Sequence, residues 1–333
     1  MTTPAAGLAL PVLDEALAER LRARMEEVEA ALHDHVRSEA AFVTEAARHL
    51  MDAGGKRFRP LLCFLAAEAG DGASQAVLDA ACVVELTHLA SLYHDDVMDE
   101  AALRRGSDSA NARWDNHVAI LTGDWLFSKS SELTAGLGPE AVRIQAETFS
   151  RLVEGQILET LGAGEGDDAL AHYLRVVGGK TGSLIATSAR YGAMFGGASA
   201  EVVEALTAYG ETVGVAFQLS DDILDIASES EESGKTPGTD LREGVATLPV
   251  LYALRSTDPA DARLRELLSG DLTDDALHAE ALGLLRAHPA MAEARTYVAG
   301  LAADAKALLA TVPAGPVRDA LDAFADVVAD RSA

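Results

Sequence analysis

The sequence predicts an all-α fold, a bundle of helices packed around a central cavity. Three observations carry that reading. Apolar residues recur at steps of three and four along nearly the whole chain. Sustained β-branched alternation is absent, and no self-similarity at 20–50 residues points to a repeat array. The chain has 333 residues, and it reads as one domain with residues 1–12 as a flexible N-terminal tail.

The elements follow in order. Leu13, Leu17, Leu21, Met25, Val28, Leu32 and Val36 mark an amphipathic first helix. A second covers about Glu39–Asp52 and stops at Gly54-Gly55, a plausible C-terminal cap. Pro60 can open a third, running to about Ala69. A fourth, about Ser74–Asp99, ends in aspartates, and the polar segment Glu100–Arg113 breaks the pattern. Helical runs resume at His117–Leu137, Pro139–Leu161, Ala169–Phe195 and Ala200–Ala227. Ser228–Val245 is a second polar break, and Thr247–Ala333 reads as short helices. Each break follows an aspartate cluster, as loops closing over a site would.

Composition narrows the function. A hydrophobic content of 49% with mean hydropathy near zero suits a water-exposed globular chain. A net charge of −26 argues against nucleic acid and against adsorption to anionic lipid. A phosphate site would therefore have to be built locally from metal and scarce cations. Lysine occurs only at 56, 129, 180, 235 and 306. Cys63 and Cys82 fall in apolar runs and read as buried free thiols of a reducing, cytoplasmic compartment. No signal peptide is evident, and no apolar run reaches the roughly 18 residues of a membrane span.

The chemistry sits in two DDxxD clusters. Asp95, Asp96 and Asp99 close ELTHLASLYHDDVMD, while Asp221, Asp222 and Asp225 close GVAFQLSDDILD. Carboxylates at such spacing repel one another unless a divalent cation neutralises them, and hard oxygen donors suit Mg2+. Either motif alone is explained as well by a solvated acidic helix end. Together they suit a cage for several Mg2+ ions and a diphosphate.

Basic candidates flank both clusters: Lys56, Arg57 and Arg59 after the Gly pair, and Arg104-Arg105 past the first cluster. His88 lies two helical turns before Asp95. Lys180-Thr181 follows Gly178-Gly179, Gln218 precedes Asp221 by three residues, and Lys235 lies in the second polar break. EF-hand, Walker A, dinucleotide-binding, CxxC and GxSxG patterns are absent.

GGKRFRP, HDDVMDEAALRRG, GDWLF, GGKTGSL, FQLSDDILD and GKTPGTDLREGVATLPV, in that order, resemble the signature blocks of the all-trans polyprenyl diphosphate synthases over about residues 40–255. The resemblance implies the isoprenoid synthase bundle, a homodimer, and head-to-tail condensation of an allylic diphosphate with isopentenyl diphosphate. It implies three Mg2+ ions per site, held most closely by Asp95, Asp99 and Asp221 with Asp96, Asp222 and Asp225 in support. Arg104, Lys180, Thr181, Gln218 and Lys235 would hold the allylic diphosphate, with Lys180 and Arg104 among the catalytic groups. Lys56, Arg59, His88 and Arg105 would bind isopentenyl diphosphate. The family often has Lys after the Gly of DLxxGK; here Val245 follows Gly244, which removes one cation unless Arg242 replaces it.

A tail anchored at Asp95 must run down the helix carrying it. Steps of four and three residues give Ser91, Thr87 and Val84, with Ala90 bordering the stripe. In the family a large aromatic four or five residues before the motif accompanies short products. Ser91 and Ala90 are small, so the expected product is longer than C20, in the range of quinone side chains. A C15 or C20 synthase is the alternative. A non-catalytic subunit of a heteromeric synthase fits poorly with six retained aspartates. A class I terpene cyclase fits poorly with a second motif of DDxxD type.

Overall fold

The computed structural model describes residues 14–72, 74–228 and 237–330. In chain order the helices are α1 (Glu15–His35), α2 (Ala41–Asp52), α3 (Phe58–Ala67), α4 (Gln75–Met98), α5 (Ala110–Arg113), α6 (Asn116–Leu137), α7 (Pro139–Leu161) and α8 (Ala169–Val177). Then come α9 (Ser183–Phe195), α10 (Ala200–Ala227), α11 (Thr239–Arg242), α12 (Leu248–Leu254), α13 (Ala262–Leu268), α14 (Asp275–Ala287), α15 (Pro289–Leu308) and α16 (Pro316–Asp330). Among the described residues, extended structure is confined to the antiparallel pair β1 (Leu103–Arg104) and β2 (Ser107–Asp108). The expected all-α class holds.

Three details depart from expectation. The run Ala169–Phe195 is not one continuous α-helix, because a π turn, Gly178–Gly182, separates α8 from α9. The first polar break is no open loop; it holds the β1–β2 hairpin and α5. The C-terminal region is not made only of short helices, since α15 spans 20 residues. The proposed tail, residues 1–12, lies outside the described residues.

The chain divides into two compact units. The first comprises Met1–Phe149, Leu184–Gly210 and Leu309–Leu321. Its centre is α4, against which α1, α3 and α6 pack. Asp14 caps α1 by accepting the Leu17 N–H at 2.7 Å, and the predicted stripe is buried at Leu17, Leu21, Val28 and Leu32. Ser74 caps α4 in the same way through Val77. By length and composition α4 could cross a membrane, contrary to the expectation from uninterrupted apolar runs, which Glu85 had masked. Yet 72% of its most apolar window is buried within the protein, so its apolarity is used as core. Cys63 and Cys82 are buried and unbridged, as expected. The Tyr93 hydroxyl, two residues before Asp95, donates to Ala46 O at 2.5 Å and accepts from Leu50 N, tying the end of α4 to α2.

The second unit comprises Ser150–Ser183, Glu211–Leu308 and Asp322–Ala333. Here α12 packs on α15, α13 and α8. Thr247 precedes α12 as its N-cap residue and Pro249 fits the first turn, where a missing N–H costs nothing. The Ser220 hydroxyl donates to Val328 O at 2.7 Å, joining α10 to α16.

Candidate active site

The first aspartate motif ends α4. Asp95 is half-buried, Asp96 fully buried and Asp99 exposed at the C-cap. The chain then reverses through Arg104-Arg105-Gly106-Ser107, with positive φ at both central residues, 55° and 78°. That is the turn chemistry whose twist matches a tight hairpin. The reversal sends Arg104 back to Asp96, its Nη2 and Nε lying 2.5 and 2.6 Å from Oδ1. Burial still holds the Asp96 carboxyl above its ordinary pKa; Arg104 opposes that and Asp99 adds to it. Asp96 Oδ2 is buried without a hydrogen-bond partner. A buried, orphaned carboxylate oxygen beside two further carboxylates fits a divalent cation. Among the described residues, however, no three His, Cys, Asp or Glu side chains gather as a ready metal cluster. Asp96 is turned to Arg104, and Asp99 lies exposed at the C-cap.

The glycine-flanked basic block sorts its cations by direction. Lys56 is exposed, whereas Arg57 sits in the left-handed region at φ 44° and turns inward. Its five N–H donors meet five acceptor contacts: Nε to Glu29 (2.5 Å), Nη1 to Glu85 (3.1 Å) and Gly54 O (3.5 Å), Nη2 to Glu29 (3.3 Å) and Met51 O (2.9 Å). Glycine at 55 makes room for a side chain rather than for an anion. A Cβ there would lie 2.8 Å from Arg105 Nη1. The Arg105 guanidinium instead donates to Leu50 O at 2.8 Å and to Gly54 O.

Arg59 and His88 complete this cluster. Burial lowers the Arg59 pKa to about 10, with Glu85 opposing and Arg105 adding to the fall, and Arg59 Nε is buried without a partner. His88 is held well below its ordinary value by burial, then by the guanidiniums of Arg59, Arg105, Arg57 and Arg104. It is neutral at neutral pH. The structure thus brings Arg59, His88, Arg104 and Arg105 into one electrostatic neighbourhood beside the first aspartate motif. Glu85, a buried residue of α4, lies within the field of Arg57, Arg59 and Arg105 and pairs directly with Arg57.

The second unit carries the other set. Lys180 and Thr181 lie in the π turn, whose widened backbone accepts the Ser183 N–H at Gly178 O. Gly155 of α7 permits this turn to approach, since a Cβ there would meet Lys180 N at 2.8 Å. Lys180 pairs with Glu159, one turn along α7 from Gly155. Thr181 Oγ1 donates to Gln218 Oε1 (3.0 Å), and Gln218 Nε2 donates to Asp222 Oδ1 (2.9 Å). The other Asp222 oxygen accepts from Tyr173 OH. Burial raises the Asp222 carboxyl to about 6, against Tyr173 and Gln218, which favour its ionised form. Tyr173 was missed from sequence, although it stands seven residues, two helical turns, before Lys180.

Asp221 and Asp225 are half-buried. The Asp225 carboxylate accepts N–H groups of Thr239 (3.3 Å) and Asp240 (3.2 Å), fixing the start of α11. Lys235 lies outside the described residues. Arg242 donates to Thr273 O at 3.0 Å and pairs with Asp275 at 2.9 Å, so its charge is already engaged there. Val245 is exposed. On the expected tunnel stripe, Val84, Thr87 and Ala90 are fully buried, and Ser91 is 9% exposed.

Comparison with known proteins follows the same lines. The family model described as polyprenyl synthetase matches residues 40–285. A nonaprenyl diphosphate synthase of Mycobacterium tuberculosis is 52% identical over 333 residues, 99% of each chain. A dimethylallyltranstransferase of the same organism is 45% identical, covering 84% of this chain and 85% of its own. Among solved structures, a geranylgeranyl pyrophosphate synthase from Corynebacterium glutamicum, complexed with calcium and isoprenyl diphosphate, superposes with a TM-score of 0.88. It is 46% identical and covers 96% of this chain and 99% of its own. A decaprenyl diphosphate synthase from Rhodobacter capsulatus superposes at 0.86 with 36% identity, covering 96% and 99%. Sequence blocks, helical architecture and these likenesses agree, and the chain belongs to the polyprenyl synthetase family of trans-prenyl diphosphate synthases.

Proposed function

We propose that the chain condenses isopentenyl diphosphate head-to-tail onto an allylic diphosphate, repeatedly, to a polyprenyl diphosphate longer than C20. The observation that carries the two-substrate reading is that cationic and hydrogen-bonding side chains of the expected kind are grouped in each of the two units. In the first unit Arg59 and Arg105 act on His88 and share the field of Glu85; in the second, Thr181 and Gln218 lead to Asp222, and Lys180 pairs with Glu159. Support for the length comes from small Ala90 and Ser91 and from the likeness to a nonaprenyl synthase.

The residues divide the work. Asp95, Asp99 and Asp221, supported by Asp96, Asp222 and Asp225, would hold three Mg2+ ions, which when bound neutralise the charge developing on the departing diphosphate. Lys180, Thr181, Gln218, Lys235 and Arg104 hold the allylic diphosphate. Arg104 does so from its ion pair with Asp96, which keeps the guanidinium beside the motif without rotamer search. Arg59, Arg105 and Lys56 supply charge to isopentenyl diphosphate. Neutral His88 supplies a hydrogen bond. The buried face of Val84, Thr87, Ala90 and Ser91 keeps water from the allylic cation. The double bond of isopentenyl diphosphate forms the new carbon–carbon bond as the allylic C–O bond breaks, and the released diphosphate takes the proton. The chain acts as a homodimer of single-domain subunits, and its free thiols suit the cytoplasm.

The test is turnover by the purified chain alone, with Mg2+, labelled isopentenyl diphosphate and a C10 or C15 starter, followed by chromatography of dephosphorylated products. Absence of any condensation ends the assignment. Termination at C15 or C20 overturns the length and favours a short-chain reading, which the likeness to a geranylgeranyl synthase supports.

A further inference from the structure

Within the first unit, three polar side chains from three helices meet on the face that elongation would use. Thr87 (α4) and Ser130 (α6) are buried, 0% and 1% exposed, and Gln145 (α7) is half-buried. Gln145 Nε2 donates to Thr87 Oγ1 at 2.6 Å and reaches Ser130 Oγ at 3.3 Å. The two hydroxyls lie 2.8 Å apart. Around them the helices are apolar: Val83, Val84, Ala90, Leu126 and Ile144 are all buried.

The hydrogen-bond inventory shows which of the three is dispensable. Thr87 donates to Val83 O of its own helix at 2.8 Å, and Ser130 reaches the same carbonyl at 3.2 Å. Both hydroxyls therefore keep a partner when Gln145 withdraws. Gln145 itself is imperfectly placed, because its Oε1 is buried with no partner. A structural clamp with an orphaned amide oxygen is poor design; a side chain that swings aside loses little by leaving. Thr87 lies eight residues before Asp95, about 12 Å of helix. One helical turn, about 5.4 Å, is comparable with one isoprene unit, so a tail of roughly two or three units, headed at the aspartates, meets this bridge at that depth. Below it the face continues through Val84, Ala81 and Ala80, all buried and small.

We infer that Gln145 is a specificity-determining residue, a hydrogen-bonded latch across the elongation path that the tail must displace to grow past about C15. The inference rests on the proposed prenyl transfer. Growth slows when the tail reaches the bridge, so C15 and C20 species accumulate early, and longer products follow as Gln145 swings out. Gln145→Ala removes the latch. Thr87→Val keeps the shape of residue 87 but removes the acceptor, and Gln145→Met keeps length without hydrogen bonding.

The experiment is a time course with labelled isopentenyl diphosphate and a C10 starter, reading the ratio of C15 plus C20 to longer products. First-condensation rate and the KM for isopentenyl diphosphate are measured alongside. The expected result is a several-fold fall in that ratio for Gln145→Ala and a smaller fall for Gln145→Met, with the first condensation unchanged in both; Thr87→Val should also lower the ratio, read relative to its own first-condensation rate. A ratio within twofold of wild type in all three folded variants, while condensation proceeds, overturns the latch and leaves the function standing. If wild type performs no first condensation, the function itself has failed. If wild type stops at C20, the same ratio decides: longer products from Gln145→Ala support the latch, and unchanged C20 overturns it.

Discussion

Arg57 offers the sharpest energetic test, because its side chain and its backbone pull in opposite directions. The guanidinium is 6% exposed and bridges Glu85, 2% exposed, and Glu29. Removing one partner of a buried, hydrogen-bonded pair costs about 3–5 kcal/mol, since the remaining charge is left unpaired. Meanwhile φ 44° and ψ 37° place a side-chain-bearing residue where L-amino acids lose roughly 1–2 kcal/mol and glycine does not. Arg57→Ala loses the pair and keeps the strain, for a destabilisation of about 3–5 kcal/mol. Arg57→Gly loses the pair and relieves the strain, so about 2–4 kcal/mol is expected. Arg57 is the N-cap of α3, where glycine ordinarily outranks alanine, and the left-handed backbone should widen that gap by about 1–2 kcal/mol. Urea melts of the substrate-free protein at one fixed protein concentration measure it. An alanine variant within about 1 kcal/mol of wild type refutes the buried pair, and alanine more stable than glycine refutes the strain.

Three further outcomes are expected. His88 has a folded-state pKa below its unfolded 6.5, so below that pH the unfolded chain binds the extra proton and stability falls as pH drops. His88→Gln should flatten that acid-side slope in melts between about pH 7 and 5, and an unchanged slope would place its origin elsewhere. Gly155→Ala pushes a methyl against Lys180 N and the Gly179 backbone, costing about 1–3 kcal/mol and raising the KM for the allylic substrate more than that for isopentenyl diphosphate. Asp95→Ala removes one of several repelling carboxylates, so the melting temperature of the metal-free protein should hold or rise while product formation drops at least a hundredfold. Retained turnover would remove Asp95 from the metal set, and calorimetric Mg2+ titration of the variant measures its loss of metal affinity independently of activity.

Local chemistry made most of the helices legible. The 3–4 periodicity places Leu17, Leu21, Val28 and Leu32 on one buried face, whereas the caps Asp14 and Ser74 are found only in the structure. Both aspartate motifs fall at the ends of long apolar helices, as their spacing required. The directions of adjacent cations were not legible. Lys56 faces solvent, Arg57 the interior, and Arg59 the cluster around His88, where Gly54, Gly55 and Arg57 all take positive φ and redirect the chain. Glu85, Tyr173 and Gln145 were missed for a different reason. None of them gives a local signal, and the meaning of each depends on a partner 28 to 58 residues away. The π turn leaves no periodic signature at all; only the glycines that permit it are visible.

That turn is a register error that the fold retains. A π turn inserts one residue into the helical ladder, so residues before it are rotated by about 100° relative to those after it. Tyr173 precedes the insertion and Thr181 lies within it, yet both connect to Asp222, one directly and one through Gln218. Deleting Gly179 would restore a regular ladder, and by local criteria the helix would improve. Tyr173 and Thr181 would then no longer address the same stretch of α10. Sequence length between residues 173 and 181 is therefore constrained, as are the identities of Tyr173, Gly179, Lys180 and Thr181: the segment should tolerate no single-residue insertion or deletion, and a more stable helix there would make a poorer enzyme.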